Sequence, residues 1–431
     1  MRGVNLVSQW LNTGGRTAQL AGNIGLSLAS LLLAYSLLQS APVADYGSFA
    51  FVLVLQAFGF SLLNALIGAP LLILQHQQPV QPAALKAFFW LVLALALLLA
   101  GVQALFLLAQ GYSWQLALVF AAGSVMLMLR WYGRLRFQNM SPRWLVLSDG
   151  LFSIAVLVLL LLVWGWASIT GLPLLTLEVS GWILLLATML SMWPFISDFY
   201  LQWQSRTDWT LLRLGFRQQG RAALLGVMTV EISANLHSYL LVALAGSAAF
   251  APVAAAMLFF RPLAVVQGSL LQSERPALAR ALTLPSLIGQ QRVVAQLRNF
   301  QWLALGLCVG NGLLLVGCYL WFPSLLWPDL ASFGQFTDVL LLVALITLLR
   351  SFRGPASALL QAANQFGPLA TASVWSACLT LPLVLAGWYL AGVIGTLLGI
   401  LAGEFLLSLM IHRQKSRLFA ARSAAIFTHQ A

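Results

Sequence analysis

The sequence predicts an all-α integral membrane protein of about twelve transmembrane helices, on three observations. The chain has 431 residues, of which 61% are hydrophobic and only 7% charged, whereas soluble domains carry about 25% charged residues. Its apolar residues run in stretches of roughly 20, the length a helix needs to cross a bilayer. Its basic residues also alternate between connections, as charges that set membrane topology do.

The spans fall at roughly 18–39, 48–75, 83–109, 114–133, 144–167 and 173–197, then 221–244, 249–273, 300–323, 335–360, 367–389 and 391–411. Breakers separate them: Ala41-Pro42, Gln77–Pro82, Gln110-Gly111, Gly171–Pro173, Pro323 with Pro328, and Gly367-Pro368. Arg350, Arg353, Gly354 and Pro355 interrupt or end the tenth. No cleavable-signal pattern follows the polar-amphipathic start Met1–Asn12, so the first span is expected to be retained.

Charge placement orders these spans. With the N-terminus inside, the outward connections 40–47, 110–113, 168–172, 245–248, 324–334 and 390 hold no Lys or Arg, only Asp45 and Asp329. The inward side takes 21 of the 22 basic residues. That bias predicts both termini in the cytoplasm. Arg130 and Arg350 are read as snorkelling from cytoplasmic helix ends. The net charge of +12 is spread over short loops rather than a folded basic domain, which argues against nucleic acid as a partner.

Two connections are longer, Asp198–Gln219 and Glu274–Asn299; the second carries Arg275, Arg280, Arg292 and Arg298 among Leu, Ile and Val, a pattern open to an amphipathic helix lying against an anionic leaflet. The first divides the chain into six-span halves, residues 1–205 and 206–431. A weak repeat agrees: Leu127–Arg134 (LMLRWYGR) aligns with Leu348–Gly354 (LLRSFRG) when Arg130 is set on Arg350. Tyr46-Gly47 likewise parallels Phe250-Ala251. Parallel repeats around a central site are a transporter pattern.

Several chemistries are absent. Neither Lys86 nor Lys415 follows the glycines of a phosphate-binding loop, and no DxD, GxSxG or HExxH occurs. Cys308, Cys318 and Cys378 lie in apolar runs without metal or disulfide spacing. No metal, no cofactor and no enzyme activity is expected.

Arg261 is the basic residue that topology does not explain. It lies about twelve residues into the eighth span, near mid-bilayer at about 1.5 Å per residue. An ionisable group at that depth marks a functional site by default. Glu231, Asn235 and His237 lie in the preceding span, and Glu231 is the natural partner for Arg261. Two readings stand: an ion pair that fixes the packing of two helices, or an arginine that lines a cavity and binds an anionic headgroup, for which its planar fork is suited. Arg16 is a second basic candidate at the cytoplasmic mouth. Asn23, Asn64 and Asn235 supply uncharged polar groups of the kind that also hydrogen-bond between helices. Glu404 is a further carboxylate within an apolar span, open to a proton, cation or packing role.

The run Ala41–Phe60, APVADYGSFAFVLVLQAFGF, resembles the segment joining the first two spans of bacterial polysaccharide flippases. The later run FAPVAAAMLFFRPLAVVQGSLLQSERPALAR resembles their eighth span and the loop after it. The family is that of the Wzx-like O-antigen and oligosaccharide exporters, within the multidrug/oligosaccharidyl-lipid/polysaccharide superfamily. The resemblance extends to the span layout of nearly the whole chain.

The resemblance implies two six-helix lobes around a central cavity in a bacterial inner membrane. It implies alternating access and a polyprenyl-pyrophosphate-linked oligosaccharide as substrate, its pyrophosphate met by Arg261, with Arg16 a weaker match; the polar groups Asn235 and Asn64 complete the expected substrate-binding set. Glycosyltransferases or a glycan polymerase of the same pathway are the implied partners. The chain departs from more cationic relatives in lacking a basic residue inside the second span. Two rivals remain: a cation-coupled small-molecule efflux carrier using Glu231, His237 or Glu404, and a membrane-embedded glycan polymerase, against which the short outer loops argue.

Overall fold

A computed structural model describes residues 15–68, 70–71, 81–171, 175–282, 287–321 and 335–428, and among these the ordered elements are all helical. The first half contains α1 (Gly15–Ser40), α2 (Val43–Leu63, extended by a π turn over Asn64–Gly68), α3 (Pro82–Ala109), α4 (Trp114–Met140), α5 (Pro142–Thr170), α6 (Leu177–Ser191), α7 (Ile196–Gln204) and α8 (Thr210–Gly215). It continues with α9 (Arg221–Leu282), α10 (Leu287–Trp321), α11 (Phe336–Ala362) and α12 (Phe366–Thr428). Local sequence sets several starts. Pro82 and Pro142 occupy first-turn positions that need no N–H. The Ser113 and Thr176 hydroxyls accept from Leu116 N and Val179 N, each at 3.3 Å.

Among the described residues, ten helices are long and apolar enough to cross a membrane. Two of them are broken. α9 breaks at Gly246 (φ 81°, ψ 175°), a backbone shape that suits only glycine. α12 breaks at Ala391-Gly392, with Gly392 at φ 58°. α9 covers the stretch of the seventh and eighth spans expected from the sequence, and α12 that of the eleventh and twelfth.

The break in α12 folds it back on itself along a seam of glycines. Gly395, Gly399 and Gly403 recur at four-residue intervals. Gly395 lies backbone to backbone on Gly387, and a β-carbon at Gly399 would stand 2.7 Å from the Leu383–Val384 backbone. The Ser376 hydroxyl donates to the Gly403 carbonyl at 2.9 Å. Small residues at such spacing let helix backbones meet in lipid, where burial of apolar surface gives no net drive.

The chain divides into two compact units: Met1–Glu231 with Leu244–Ala251, and Ile232–Ala243 with Pro252–Ala431. In the first, α4 packs on α3 and α6, and α5 packs on α1 and α6. Tyr46, Phe49, Phe88, Phe120, Tyr132 and Phe195 are fully enclosed there, while Leu98, Leu105, Leu162 and Trp166 stand exposed. Large apolar side chains on the outside are what a lipid-facing surface requires. In the second unit, α11 packs on α10 and α12.

Both longer connections are largely helical, the form the sequence left open for the second. Residues 196–204 and 210–215 form α7 and α8. Around Glu274–Asn299, α9 runs on to Leu282 and α10 begins at Leu287. The reason is periodic: Leu278 and Ala281 on α9 and Val293, Leu297 and Phe300 on α10 recur every three or four residues. They close a core with Ala358 and Leu359 of α11. Pro355 lies inside α11 without ending it, as membrane helices tolerate.

Candidate functional site

Each unit holds a carboxylate shared by two arginines inside its helices. In the first unit the carboxylate is Asp149, near the start of α5. Arg130 and Arg134 are one turn apart on α4 and so share a face. Arg130 Nη2 donates to Asp149 Oδ1 at 2.7 Å, and Arg134 pairs with the same oxygen. Arg134 Nη2 also donates to Asn23 Oδ1 of α1 at 2.8 Å. Arg130 Nε donates to Ser148 Oγ at 3.2 Å, and that hydroxyl donates to the Ser191 carbonyl at 2.8 Å. The Arg130 guanidinium lies 4.7 Å from the centre of the Phe152 ring. The cluster thus ties α1, α4, α5 and α6 together. Asp149 Oδ2 has no hydrogen-bond partner among the described residues, and Gly22 makes room for it: a β-carbon there would stand 3.1 Å away.

The other face of α4 carries a second pair. Arg136 meets Asp198 of α7 at 2.6 Å, and Gln202 Nε2 donates to Asp198 Oδ2 at 2.6 Å. The Tyr132 hydroxyl donates towards Gln202 Oε1 at 3.0 Å.

In the second unit the shared carboxylate is Glu404 of α12. Arg350 Nε donates to Glu404 Oε1 at 2.7 Å, and Arg353 pairs with Oε2. This cluster is more open: the side chains of Arg350 and Arg353 are 30% and 18% exposed against 6% for Glu404. His237, on the first limb of α9, is buried within electrostatic range of Arg350 and Glu404. Its Nδ1 has no hydrogen-bond partner among the described residues. Gln267 Nε2 donates to Ser351 Oγ at 2.7 Å, joining α9 to α11 beside the cluster.

These arginines correct the snorkelling expectation. Arg130 lies ten residues before the end of α4 and Arg350 twelve before the end of α11, about 15 and 18 Å of helix. Arg130 is 1% exposed. An inward carboxylate holds each guanidinium where the sequence reading sends it out to water.

The remaining sequence candidates are placed as follows. Glu231 is buried and closes the first unit, while Arg261 is half-buried on the second limb of α9, in the second unit. Asn235 is half-buried. Asn64, in the π turn, is exposed and accepts from Trp131 Nε1 at 3.1 Å, the interhelical role open to it from the sequence. Arg16 lies in the first turns of α1, and its side chain falls outside the described residues. Of the three carboxylate or histidine candidates, His237 and Glu404 share one electrostatic neighbourhood. Asp149, Arg134 and Arg353 are the residues that sequence reasoning missed. The available signal was Asp149 itself, a carboxylate within an apolar run.

The Tyr46-Gly47 pair has a structural reason. Leu244–Ala251, at the break of α9, seats on the start of α2. Gly47 lies against the Ser247 carbonyl, and a β-carbon there would also stand 3.3 Å from that of Ala251. The Ser247 hydroxyl reaches the Ala44 carbonyl at 3.1 Å and Gln110 Oε1 at 3.2 Å. Phe51 meets Phe250 edge to face, centroids 6.3 Å apart. The two segments paired by the internal repeat therefore touch each other. Beside this seat the Tyr112 hydroxyl donates to Asp45 Oδ1 at 2.8 Å. Burial, and secondarily the Asp45 carboxylate, push its pKa up to about 12, against a relieving bond from Ser48.

No family model matches the chain, and no curated protein matches it. Solved structures match its fold. One is a multidrug resistance MATE family transporter of the MOP superfamily in an inward-facing conformation, at 14% identity and TM-score 0.58, over 95% of this chain and 96% of that one. An outward-facing structure of such a transporter matches at 12% identity and TM-score 0.59, over 95% and 96%. A MOP superfamily transporter from Pyrococcus furiosus, whose reversed pocket polarity is said to suggest a different function, matches at 13% and TM-score 0.56, over 95% and 97%. At these identities the likeness establishes the fold.

Proposed function

We propose that this chain is a transporter that moves a polyprenyl-pyrophosphate-linked oligosaccharide across a bacterial inner membrane by alternating access. Likeness to transporters captured facing inward and outward supports the mode. The observation that carries the substrate class is the surplus of guanidinium over carboxylate within the helices. Two arginines face one carboxylate in each unit. Arg350 and Arg353 are also more exposed than the carboxylate they share. A cationic interior favours an anionic headgroup, and arginine forks suit phosphate oxygens.

In this reading Arg261, Arg16, Asn235 and Asn64 meet the substrate, and Glu231, His237 and Glu404 set the resting charge or couple an ion. Glycosyltransferases and a glycan polymerase would act before and after the chain. The test is a deletion strain complemented with Arg261→Ala and Arg261→Lys. The expected result is repeat units held on the inner leaflet with normal amounts of protein in the membrane. Export at the wild-type level with Arg261→Ala would remove Arg261 from the headgroup site.

A cation-coupled efflux carrier is the second reading, favoured by His237 lying within range of Glu404. It predicts altered drug tolerance in the deletion strain, with no accumulation of lipid-linked glycan.

A further inference from the structure

The converging ends of α9 and α10 enclose a groove of about 580 Å³. Arg280 and Glu274 of α9 and Arg292, Gln296 and Asn299 of α10 give it a polar lining. Phe300 and Leu303 of α10 line it as well. Ala277, Ala281 and Ala295 add small side chains to the lining. From Arg292 to Leu303 the groove runs along about 16 Å of helix. Leu303 and its neighbour Trp302 are exposed, 47% and 67%, as residues at a bilayer interface are. The Leu278, Val293, Leu297 and Ala358 core beneath holds the two helices in register, so the groove is preformed.

We propose that this groove binds the phosphate headgroup of an anionic lipid. Its net charge favours an anion: two guanidiniums and one carboxylate line it, and Gln296 Nε2 donates to Glu274 Oε2 at 3.1 Å. Along α10 its lining passes from Arg292 through Gln296 and Asn299 to Phe300 and Leu303. A headgroup fits the first part and the start of an acyl chain the second. The sequence bias of Lys and Arg puts this end on the cytoplasmic side, where anionic lipid attracts basic residues. The groove owes nothing to the export reading, because it is judged by lipid binding alone.

The test uses the purified chain in detergent, stripped of lipid, with phosphatidylglycerol, phosphatidylcholine or inorganic phosphate as the added probe. Bound lipid is counted by native mass spectrometry, and stability is followed by thermal unfolding. Phosphatidylglycerol should bind and raise the melting temperature, and phosphatidylcholine should not. R280Q/R292Q should weaken phosphatidylglycerol binding about tenfold or more, the size expected for lost charge-assisted hydrogen bonds. R280K/R292K should keep part of it, and R413Q/R417Q, which removes equal charge outside the groove, should keep all. Unchanged melting of R280Q/R292Q without lipid shows that the variant is folded. Equal binding by R280Q/R292Q and wild type, or equal loss in R413Q/R417Q, overturns the site. Inorganic phosphate that stabilises as well as phosphatidylglycerol overturns its assignment to a lipid.

Discussion

Gly47 lies so close to the Ser247 carbonyl that a β-carbon on residue 47 would share its space. The obstacle is backbone, so no side-chain rotation relieves it. Gly47→Ala should therefore displace Leu244–Ala251 or the start of α2, at about 1–3 kcal/mol for an overpacked contact. Gly101→Ala is the matched control, since open space surrounds that position. Thermal unfolding of the two variants in detergent should separate them, and equal melting temperatures would refute the contact.

The two shared carboxylates should differ in what their loss costs. Asp149→Asn leaves Arg130 and Arg134 buried with their charge uncompensated, a loss of about 3–5 kcal/mol. Glu404→Gln should cost less, because the Arg350 side chain is 30% exposed and reaches other solvation. Replacing the first cluster wholesale, R130M/R134M/D149L, should recover most of the stability, as apolar substitution of buried ion groups often does. Denaturant titration of the three variants checks the order.

The alkaline limb of stability should report on Tyr112. Its pKa is about 12 in the folded chain against the ordinary 10.0. A tyrosine raised in this way contributes fully below pH 10, and its contribution fades as the pH climbs towards 12. Tyr112→Phe removes the titration. Wild type minus variant should therefore be constant below pH 10 and shrink between those values, measured as the difference in melting temperature.

The span pattern was legible in the sequence because bilayer thickness dictates it; the break at Gly246 fell between expected spans, and that at Ala391-Gly392 at the first residues of the twelfth. The buried clusters were less legible, for a physical reason. Arginine at position 130 or 350 satisfies the topological charge rule as well as an ion-pair role, so the simpler explanation absorbed it. What decides between them is a carboxylate on another helix, and Asp149 and Glu404 meet their arginines only once the helices pack. The helical ends of α9 and α10 were legible in part, as a stretch able to lie as an amphipathic helix. Their apolar residues are too sparse for a span, yet recur at the helical period, as Leu278 with Ala281 and Val293 with Leu297 do.

Sharing one carboxylate between two arginines also bears on how the chain is built into a membrane. An arginine at the centre of a lone helix costs about 2.5–3.5 kcal/mol to insert, and α4 carries Arg130, Arg134 and Arg136. Its neutralising Asp149 arrives only 15 residues after Arg134, so α4 and α5 should partition into lipid as one hairpin. Glycosylation mapping should find α4 unintegrated in a chain stopped after residue 140 and integrated in one stopped after residue 170. Arg350 waits longer, since Glu404 follows 54 residues later, across an intervening passage. Until that residue emerges, α11 needs shelter from the insertion machinery or from helices already in place. Synthesis order thereby becomes a constraint on which helices are able to carry charge.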